Sequence, residues 1–147
     1  MLNGSKWIAL MIAAMPLAST HGARASCLNL SGDYVIQGED GDVHIAIEQH
    51  QCDRIEIIRR NNYLGTTTSE THKLRIDGQE QEDSPWFGGR EQYRTSAKFV
   101  GPELQIRTRT TGGSNITLIY SLTPSRDLLE ESRIKGHGVP LVAKRQK

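Results

Sequence analysis

The chain has 147 residues, of which 36% are hydrophobic, 5% aromatic and 24% charged. This length predicts a single domain, and the balance of apolar and charged residues favours a compact fold over a disordered chain. The formal charge of +1 gives no overall electrostatic footprint for nucleic acid or for an anionic membrane surface. The composition therefore excludes a strongly basic nucleic-acid-binding protein.

The first 25 residues have the pattern of a secretory signal peptide. Lys6 provides a positive start, residues 7–15 form an apolar core that Pro16 ends, and the Ala-Arg-Ala sequence closing at Ala25 fits a cleavage site. The apolar run is well short of the roughly 20 residues that a membrane-spanning helix needs. We therefore expect a secreted or periplasmic mature domain, residues 26–147, without a transmembrane segment.

The two cysteines, Cys27 and Cys52, both lie in the expected mature domain. An exported chain meets an oxidising compartment, so an even pair predicts a disulfide that ties the start of the domain to the end of its second strand. Arg24 stands where a lipoprotein signal has an aliphatic residue, which disfavours lipidation of Cys27. A two-thiolate metal site would need neighbouring ligands that the sequence lacks. We expect no metal and no cofactor.

Alternating apolar and polar residues follow the signal segment. Val43, Ile45 and Ile47 fall on one face of a strand, and the residues between them fall on the other face. Turn signals rich in Gly, Asn, Asp and Pro separate this run from several similar ones. The pattern predicts about nine strands, near residues 33–39, 43–50, 54–60, 72–78, 90–100, 103–110, 115–123, 128–135 and 140–145.

Short strands joined in sequence by tight turns predict an all-β antiparallel meander. Closing eight or nine such strands into an up-and-down barrel buries the apolar face and protects both sheet edges. A two-sheet sandwich is the alternative, and only the polar segments 62–71 and 79–89 are long enough to cross between sheets. Residues 125–132 fit either a helix that begins at Ser125 or part of a strand.

The segment from Cys27 to Tyr34, which ends in Gly32-Asp33-Tyr34, resembles the first strand of calycin barrels, the lipocalin and avidin-like families. In those families a Gly-x-Trp element begins the barrel and its ring closes one end, whereas this sequence has Tyr34 in place of the Trp. Arg145 resembles the basic residue that the families place on the last strand near that ring. The resemblance implies a calycin-like barrel with Arg145 close to Tyr34. It implies no ligand, because the ligand-stacking tryptophans of avidin-like barrels have no counterparts here.

No constellation of residues predicts catalysis. His44, Glu48 and His50 share one face of the second strand, where two of them could hold a metal with a third ligand. That face is opposite the apolar one, so a solvated surface is the favoured interpretation. The Ser and Thr residues lack a nucleophile elbow, and the disulfide leaves no free thiol. We do not expect an enzyme.

Aromatic residues mark the candidate ligand site. Trp86 and Phe87 are adjacent in segment 79–89, where they either cover the core or form an exposed binding surface. The remaining candidates are tyrosines predicted to point into the barrel. The predicted ligand-binding residues are Tyr34, Trp86, Phe87, Tyr93 and Tyr120.

Two functions fit this barrel. An eight-stranded barrel is just wide enough to be filled by side chains or to hold one small ligand. The first hypothesis is a monomeric binding module for a small apolar or amphipathic ligand. The alternative is a protein-interaction module or an inhibitor in the cell envelope or extracellular space, acting through segment 79–89 and a stripe of basic residues. The stripe consists of Lys73, Arg75, Arg94, Lys98, Arg107 and Arg109.

Overall fold

In a computed structural model, which describes residues 27–86 and 90–147, the chain is all-β and its strands form one antiparallel sheet. The expected signal peptide, residues 1–25, lies outside the described residues. The ten strands are β1 (Gly32–Ile36), β2 (Val43–His50), β3 (Arg54–Tyr63), β4 (Thr66–Arg75), β5 (Gln81–Asp83), β6 (Tyr93–Val100), β7 (Glu103–Thr110), β8 (Asn115–Leu122), β9 (Leu128–Ile134) and β10 (His137–Arg145). Each strand pairs with its neighbours along the chain, except at the β4–β5 junction, and β1 also pairs with β10. The predicted up-and-down barrel is confirmed, with ten strands instead of about nine.

The extra strand residues lie in the two segments predicted to be long connections. Segment 62–71 is instead a hairpin: β3 runs on to Tyr63, and Leu64 and Gly65 form a two-residue turn at positive φ before β4 begins. Its Thr and Ser side chains are mostly exposed, so the segment has no apolar face for the alternation to reveal. Within segment 79–89, β5 pairs with β6. Residues 128–132 belong to β9 and form no helix.

The barrel closes along a seam between β4 and β5, the two ends of the sheet order. Side chains replace the missing backbone ladder there. The Gln81 amide nitrogen donates to the Lys73 carbonyl at 2.7 Å, and its oxygen accepts from the Arg75 backbone N–H at 3.1 Å. A single side chain therefore satisfies backbone groups of the facing strand, which would otherwise need water or a further strand.

The inward face of the sheet forms the core, as the alternation predicts. Val43 is partly buried and Ile45 and Ile47 are buried, whereas His44 and Glu48 on the opposite face are exposed. Such low exposure of inward side chains shows that they fill the barrel at this level. The fully or largely buried members are Leu30, Tyr34, Ile45, Ile47, Ile55, Ile57, Leu74, Trp86, Tyr93, Ala97, Leu104, Ile106, Leu118, Tyr120, Leu128 and Ala143.

One end of the barrel is organised by Tyr34 and Arg145, which lie directly opposite each other on β1 and β10. The Arg145 guanidinium carbon lies 5.7 Å from the centre of the Tyr34 ring, and its Nη2 donates to the Ser31 carbonyl at 3.1 Å. A Cβ at Gly32 would stand only 3.1 Å from both the Tyr34 hydroxyl and Arg145 Nη2. The Gly-x-Tyr element thus needs its glycine to let the ring and the guanidinium meet. The contact implied by the calycin resemblance is present.

The predicted disulfide joins Cys27 to Cys52, with 5.7 Å between their Cα atoms. Gln49 reinforces the same corner, because its amide oxygen accepts from the Leu30 N–H and its amide nitrogen donates to the Leu28 carbonyl. The bridge holds the segment before β1 against the turn after β2.

Removing the bridge is expected to destabilise the fold substantially. The Cys27→Ser, Cys52→Ser double variant should lose about 3 kcal/mol of unfolding free energy, because the unfolded chain regains the freedom of a closed loop. Urea denaturation of oxidised wild type and the variant measures this loss. Reduced wild type is the matched control and should unfold like the variant. A midpoint unchanged by both treatments would contradict the expectation.

Candidate functional site

Six of the polar side chains inside the barrel form one connected set, and we call them the polar row. They come from five strands that the barrel brings around one interior, and two pairs face each other in the registers: Arg59 with Glu70, and Tyr120 with Glu130. None was predicted to be a site residue, except Tyr120. The polar row consists of Arg59, Glu70, His72, Asp83, Tyr120 and Glu130.

At one end of the row an ion pair crosses the barrel from β3 to β9. Arg59 Nη1 bonds to Glu130 Oε2, and the Tyr120 hydroxyl donates to the same oxygen at 2.7 Å. Burial raises the pKa of Tyr120 well above its usual value, so the phenol stays protonated. Burial alone would lower the pKa of Arg59, but its interactions with Tyr120 and Glu130 raise it overall. The guanidinium charge is therefore balanced inside the protein.

At the other end, Trp86 enters the barrel and stacks on His72. The ring centres are 3.4 Å apart and the planes differ by 7°. Asp83 holds both rings: the Trp86 Nε1–H donates to Oδ2 at 2.7 Å, and His72 Nδ1 lies 3.0 Å from Oδ1. Trp86 is only 1% exposed, so it covers the core and does not form a binding surface. Phe87 lies outside the described residues.

Glu70 lies between the two ends of the row. Its Oε1 is 3.9 Å from Arg59 Nε, and its Oε2 is 3.8 Å from His72 Nε2. Both separations are longer than a hydrogen bond, so these interactions are electrostatic. The row contains three carboxylates against one guanidinium and one imidazole, and its electrostatic balance favours positive charge on His72.

The pKa of His72 is raised above its ordinary value of 6.5. Burial is the largest influence and lowers it, but the hydrogen bond to Asp83 and the negative charges of Asp83 and Glu70 together outweigh burial. A raised folded-state pKa means that this stabilisation is fully present below pH 6.5 and is lost as the pH rises through the folded-state value.

We therefore expect the unfolding free energy of wild type to fall when the pH rises from about 6 through the raised pKa of His72. Urea midpoints measured across that range test the expectation. The His72→Gln variant should lose this slope, whereas His50→Gln, on an exposed imidazole, should keep it. Wild-type stability that increases over the same range would contradict the assignment.

Three inward-facing apolar residues stay open to solvent, and we call them the rim: Ile134, Val139 and Leu141. Their exposed fractions are 56%, 75% and 47%. The registers place Leu141 opposite the buried Glu130 and Val139 opposite Ser132, so both point toward the inside. In the described strands, β1 pairs with β10 only at Arg145 and Lys144. The first half of β10 therefore lies beyond the β1 ladder, and the barrel is open there.

The predicted ligand-binding residues are not gathered at this opening. Tyr34 is buried beside Arg145, and Tyr120 is buried beside Glu130. Tyr93 contacts Trp86, because its hydroxyl donates to the Trp86 carbonyl at 3.4 Å. These side chains form the core, and their part in ligand binding stays a prediction. Sequence reasoning missed the rim because alternation indicates which side chains face inward but not that the β1 ladder stops at Lys144 and leaves the first half of β10 uncovered.

The outer face carries ion pairs rather than a built site. His50 Nε2 and Glu48 Oε1 are 3.4 Å apart and largely exposed, and the described part of the chain contains no group of three side chains placed to hold a metal. Acids interrupt the predicted basic stripe: Glu80 Oε2 lies 3.0 Å from Arg109 and 3.9 Å from Arg94. In residues 27–86 and 90–147, no helix is long and apolar enough to cross a membrane.

The meander order, the Tyr34–Arg145 closure and the buried core define a calycin-like β-barrel fold. Similar solved structures include secretory abundant heat soluble protein 4 from Ramazzottius varieornatus, with a TM-score of 0.64 and 10% identity over 85% of this chain and 100% of that one. The REP1-NXSQ fatty acid transporter has a TM-score of 0.61 and 14% identity, covering 80% and 96% of the two chains. A fluorescent protein UnaG mutant has a TM-score of 0.60 and 14% identity with the same coverage. At these identities the likeness concerns the fold.

No protein-family model matches the sequence. No curated protein matches it either. None of the three structural relatives is named as an enzyme.

Proposed function

We propose that this protein is a non-enzymatic binding module that takes a small, neutral apolar or amphipathic ligand at the rim. The observation that carries the proposal is the exposure of Ile134, Val139 and Leu141 on an inward face whose other large apolar residues are mostly buried. Apolar side chains that line an opening into a folded interior are typical of ligand sites. One of the structural relatives is named as a fatty acid transporter, which agrees with a lipid-like ligand.

The polar row favours a neutral head group over a carboxylate. Leu141 lies opposite Glu130, so a ligand that enters past the rim meets the Arg59–Glu130 pair first. Glu130 already balances Arg59, and the Tyr120 hydroxyl is donated to the same carboxylate. A ligand anion would have to compete with this bond inside a row that has more carboxylates than cations. An alcohol or amide can exchange hydrogen bonds there without adding charge.

Export completes the proposal. The pattern of residues 1–25 is typical of a secretory signal, and the Cys27–Cys52 disulfide fits the oxidising compartment that an exported domain reaches. We therefore propose a monomeric carrier or receptor of the periplasm or extracellular space. Trp86 is buried, so this ring is not available to a protein partner, which supports the ligand-binding proposal over the interaction-module alternative.

A fluorescence titration with Nile red, a neutral apolar dye, tests the proposed site. We expect saturable binding to wild type with one dye per protein. The Val139→Asn, Leu141→Asn variant should bind about tenfold more weakly, because two apolar contacts at the rim are lost. Leu64→Asn is the matched control, since Leu64 is an exposed apolar residue on the β3–β4 turn. No saturable binding, or an equal loss in the control, would overturn the proposal.

Competition between two ligands of equal chain length tests the preferred charge. Dodecanol should displace Nile red at a concentration about tenfold lower than dodecanoate at pH 8, because the anion meets a row with excess carboxylates. Displacement is followed by dye fluorescence below the micelle-forming concentration of each competitor. Equal displacement, or stronger displacement by the carboxylate, would contradict the proposed neutral head group.

A further inference from the structure

Glu70 is a buried carboxylate that accepts no hydrogen bond from the part of the chain that the structure describes. Both of its oxygens are screened from solvent, and neither has a donor within hydrogen-bond distance. The Nε2 atom of His72 also lacks a hydrogen-bond partner, on a side chain that is fully buried. Buried polar groups are nearly always hydrogen-bonded, because an unsatisfied one loses its bonds to water without replacement. These atoms therefore mark a place inside the barrel that suits a further polar group.

The other two carboxylates of the polar row are bonded within the protein. The Glu130 carboxylate accepts from the Tyr120 hydroxyl at 2.7 Å, and the Asp83 carboxylate accepts from the Trp86 indole N–H at 2.7 Å. Glu70 lies between them and has no such bond. The unsatisfied oxygens of Glu70 are therefore a local feature and not a general property of this interior.

The gap between Glu70 and His72 has the dimensions of a two-sided hydrogen-bond site. Glu70 Oε2 and His72 Nε2 are 3.8 Å apart, which is too long for a direct bond, but one oxygen atom can lie within about 2.8 Å of both. His72 Nδ1 lies 3.0 Å from Asp83 Oδ1, so that nitrogen carries a hydrogen. When the imidazole is protonated, Nε2 also donates, whereas the Glu70 carboxylate only accepts.

The charges around His72 favour this protonated form. Asp83 on β5 and Glu70 on β4 are the acids that face the ring, and Arg59 on β3 lies on the far side of Glu70. Trp86 stacks on the ring and adds no charge. Burial lowers the pKa of His72, but the two carboxylates outweigh burial and raise it overall above 6.5. At pH 6, Nε2 therefore has a hydrogen to donate.

We propose that Glu70 and His72 together bind a hydroxyl group of the ligand, which accepts from the His72 Nε2–H and donates to the Glu70 carboxylate. The inference rests on the proposed function, because it names the group by which the ligand at the rim is held. A hydroxyl combines a donor and an acceptor on one atom. An ether or ketone has no hydrogen for Glu70, and an ammonium cannot accept from His72. An amide carries its donor and acceptor on two atoms, whereas the gap takes one.

The polar row connects the rim with this gap. Leu141 of the rim lies opposite Glu130, Glu130 bonds to Arg59, and Arg59 faces Glu70 in the β3–β4 register. Thr68, two residues before Glu70 on the same face of β4, is exposed, so Glu70 is one inward position from solvent. A ligand whose apolar part contacts the rim therefore has a polar route to Glu70.

Competition with Nile red at pH 6 tests the hydroxyl site. Decanol and 1-methoxynonane have the same non-hydrogen atom count, and the ether is the more apolar, so apolar contacts alone would favour the ether. Wild type should bind decanol about tenfold more tightly, because only the alcohol donates to a carboxylate. Glu70→Met should reduce this preference to about twofold or less, since the thioether is a weak acceptor. Glu56→Met, the same change on the exposed outer pair with Lys73, should keep the wild-type preference.

A measurement on wild type alone makes the test independent of how the variants fold. In carboxyl-labelled protein, the ¹³Cδ signal of Glu70 should shift saturably with decanol and stay in place with 1-methoxynonane. Equal binding of the two compounds by wild type, an unmoved Glu70 signal with decanol, or a full preference in Glu70→Met would overturn the inference and leave the ligand site at the rim standing. Absence of saturable Nile red binding would refute the proposed function instead, and the Glu70 signal with decanol would still decide the hydroxyl site.

Discussion

Replacing Glu130 by Gln lowers the free energy of unfolding by about 3 to 5 kcal/mol, as expected when one partner of a buried ion pair is removed. The Arg59 guanidinium remains inside the barrel, with Glu70 3.9 Å away as its nearest remaining carboxylate. The Tyr120 hydroxyl also loses a charged acceptor. Urea denaturation at neutral pH, followed by circular dichroism, measures the loss.

Two controls separate the buried charge from the loss of any salt bridge. Glu56→Gln removes the partner of the exposed Lys73 and should cost less than about 0.5 kcal/mol. The Arg59→Met, Glu130→Leu double variant should recover at least half of the loss, because neither buried charge remains. A Glu130→Gln protein as stable as wild type would contradict the buried position of the pair.

Replacing Trp86 by Ala is expected to cost about 3 to 5 kcal/mol, the usual range for removing a buried aromatic side chain from a core. The change removes the stack on His72, the hydrogen bond to Asp83 and a large part of the packing at one end of the barrel. Thermal unfolding and urea midpoints measure the effect.

Trp86→Phe provides the matched comparison. It keeps a ring on His72 but removes the indole N–H that donates to Asp83, so a loss of about 1 to 2 kcal/mol is expected. Similar losses for Ala and Phe would assign the whole effect to the hydrogen bond. A Trp86→Ala variant within about 0.5 kcal/mol of wild type would contradict the role of Trp86 as part of the core.

The sequence predicts the barrel well because a half-buried strand must alternate. Ile45 and Ile47, two positions apart on β2, both point into the core, whereas His44 and Glu48 point outward and are polar. The calycin resemblance adds the Tyr34–Arg145 contact, which local patterning alone does not indicate. Hairpin 62–71 escapes prediction because a strand exposed on both faces has no alternation to detect.

The polar row shows where pattern reasoning stops. Arg59 lies two residues after Ile57, and His72 lies two residues before Leu74. Alternation therefore places both side chains on the inward face of the sheet. Their charge makes an interior position unexpected unless a partner is known. The partner of Arg59 is Glu130, 71 residues away, and only the closed barrel brings them together.

The rim depends on a feature that no local pattern records. Val139 and Leu141 alternate as core residues do, but burial also requires a covering strand. The ladder between β1 and β10 ends at Val35 and Lys144, so the first half of β10 lies beyond it. Exposure at the rim therefore follows from the relative lengths of two paired strands.

Methyl-group NMR during titration with Nile red is the most direct test of a barrel that is packed around Trp86 and open beside β10. The methyl signals of Ile134, Val139 and Leu141 should shift saturably, while those of Ile57 and Leu104 in the packed interior should not. Large shifts at Ile57 and Leu104 with an unaffected rim would contradict this arrangement.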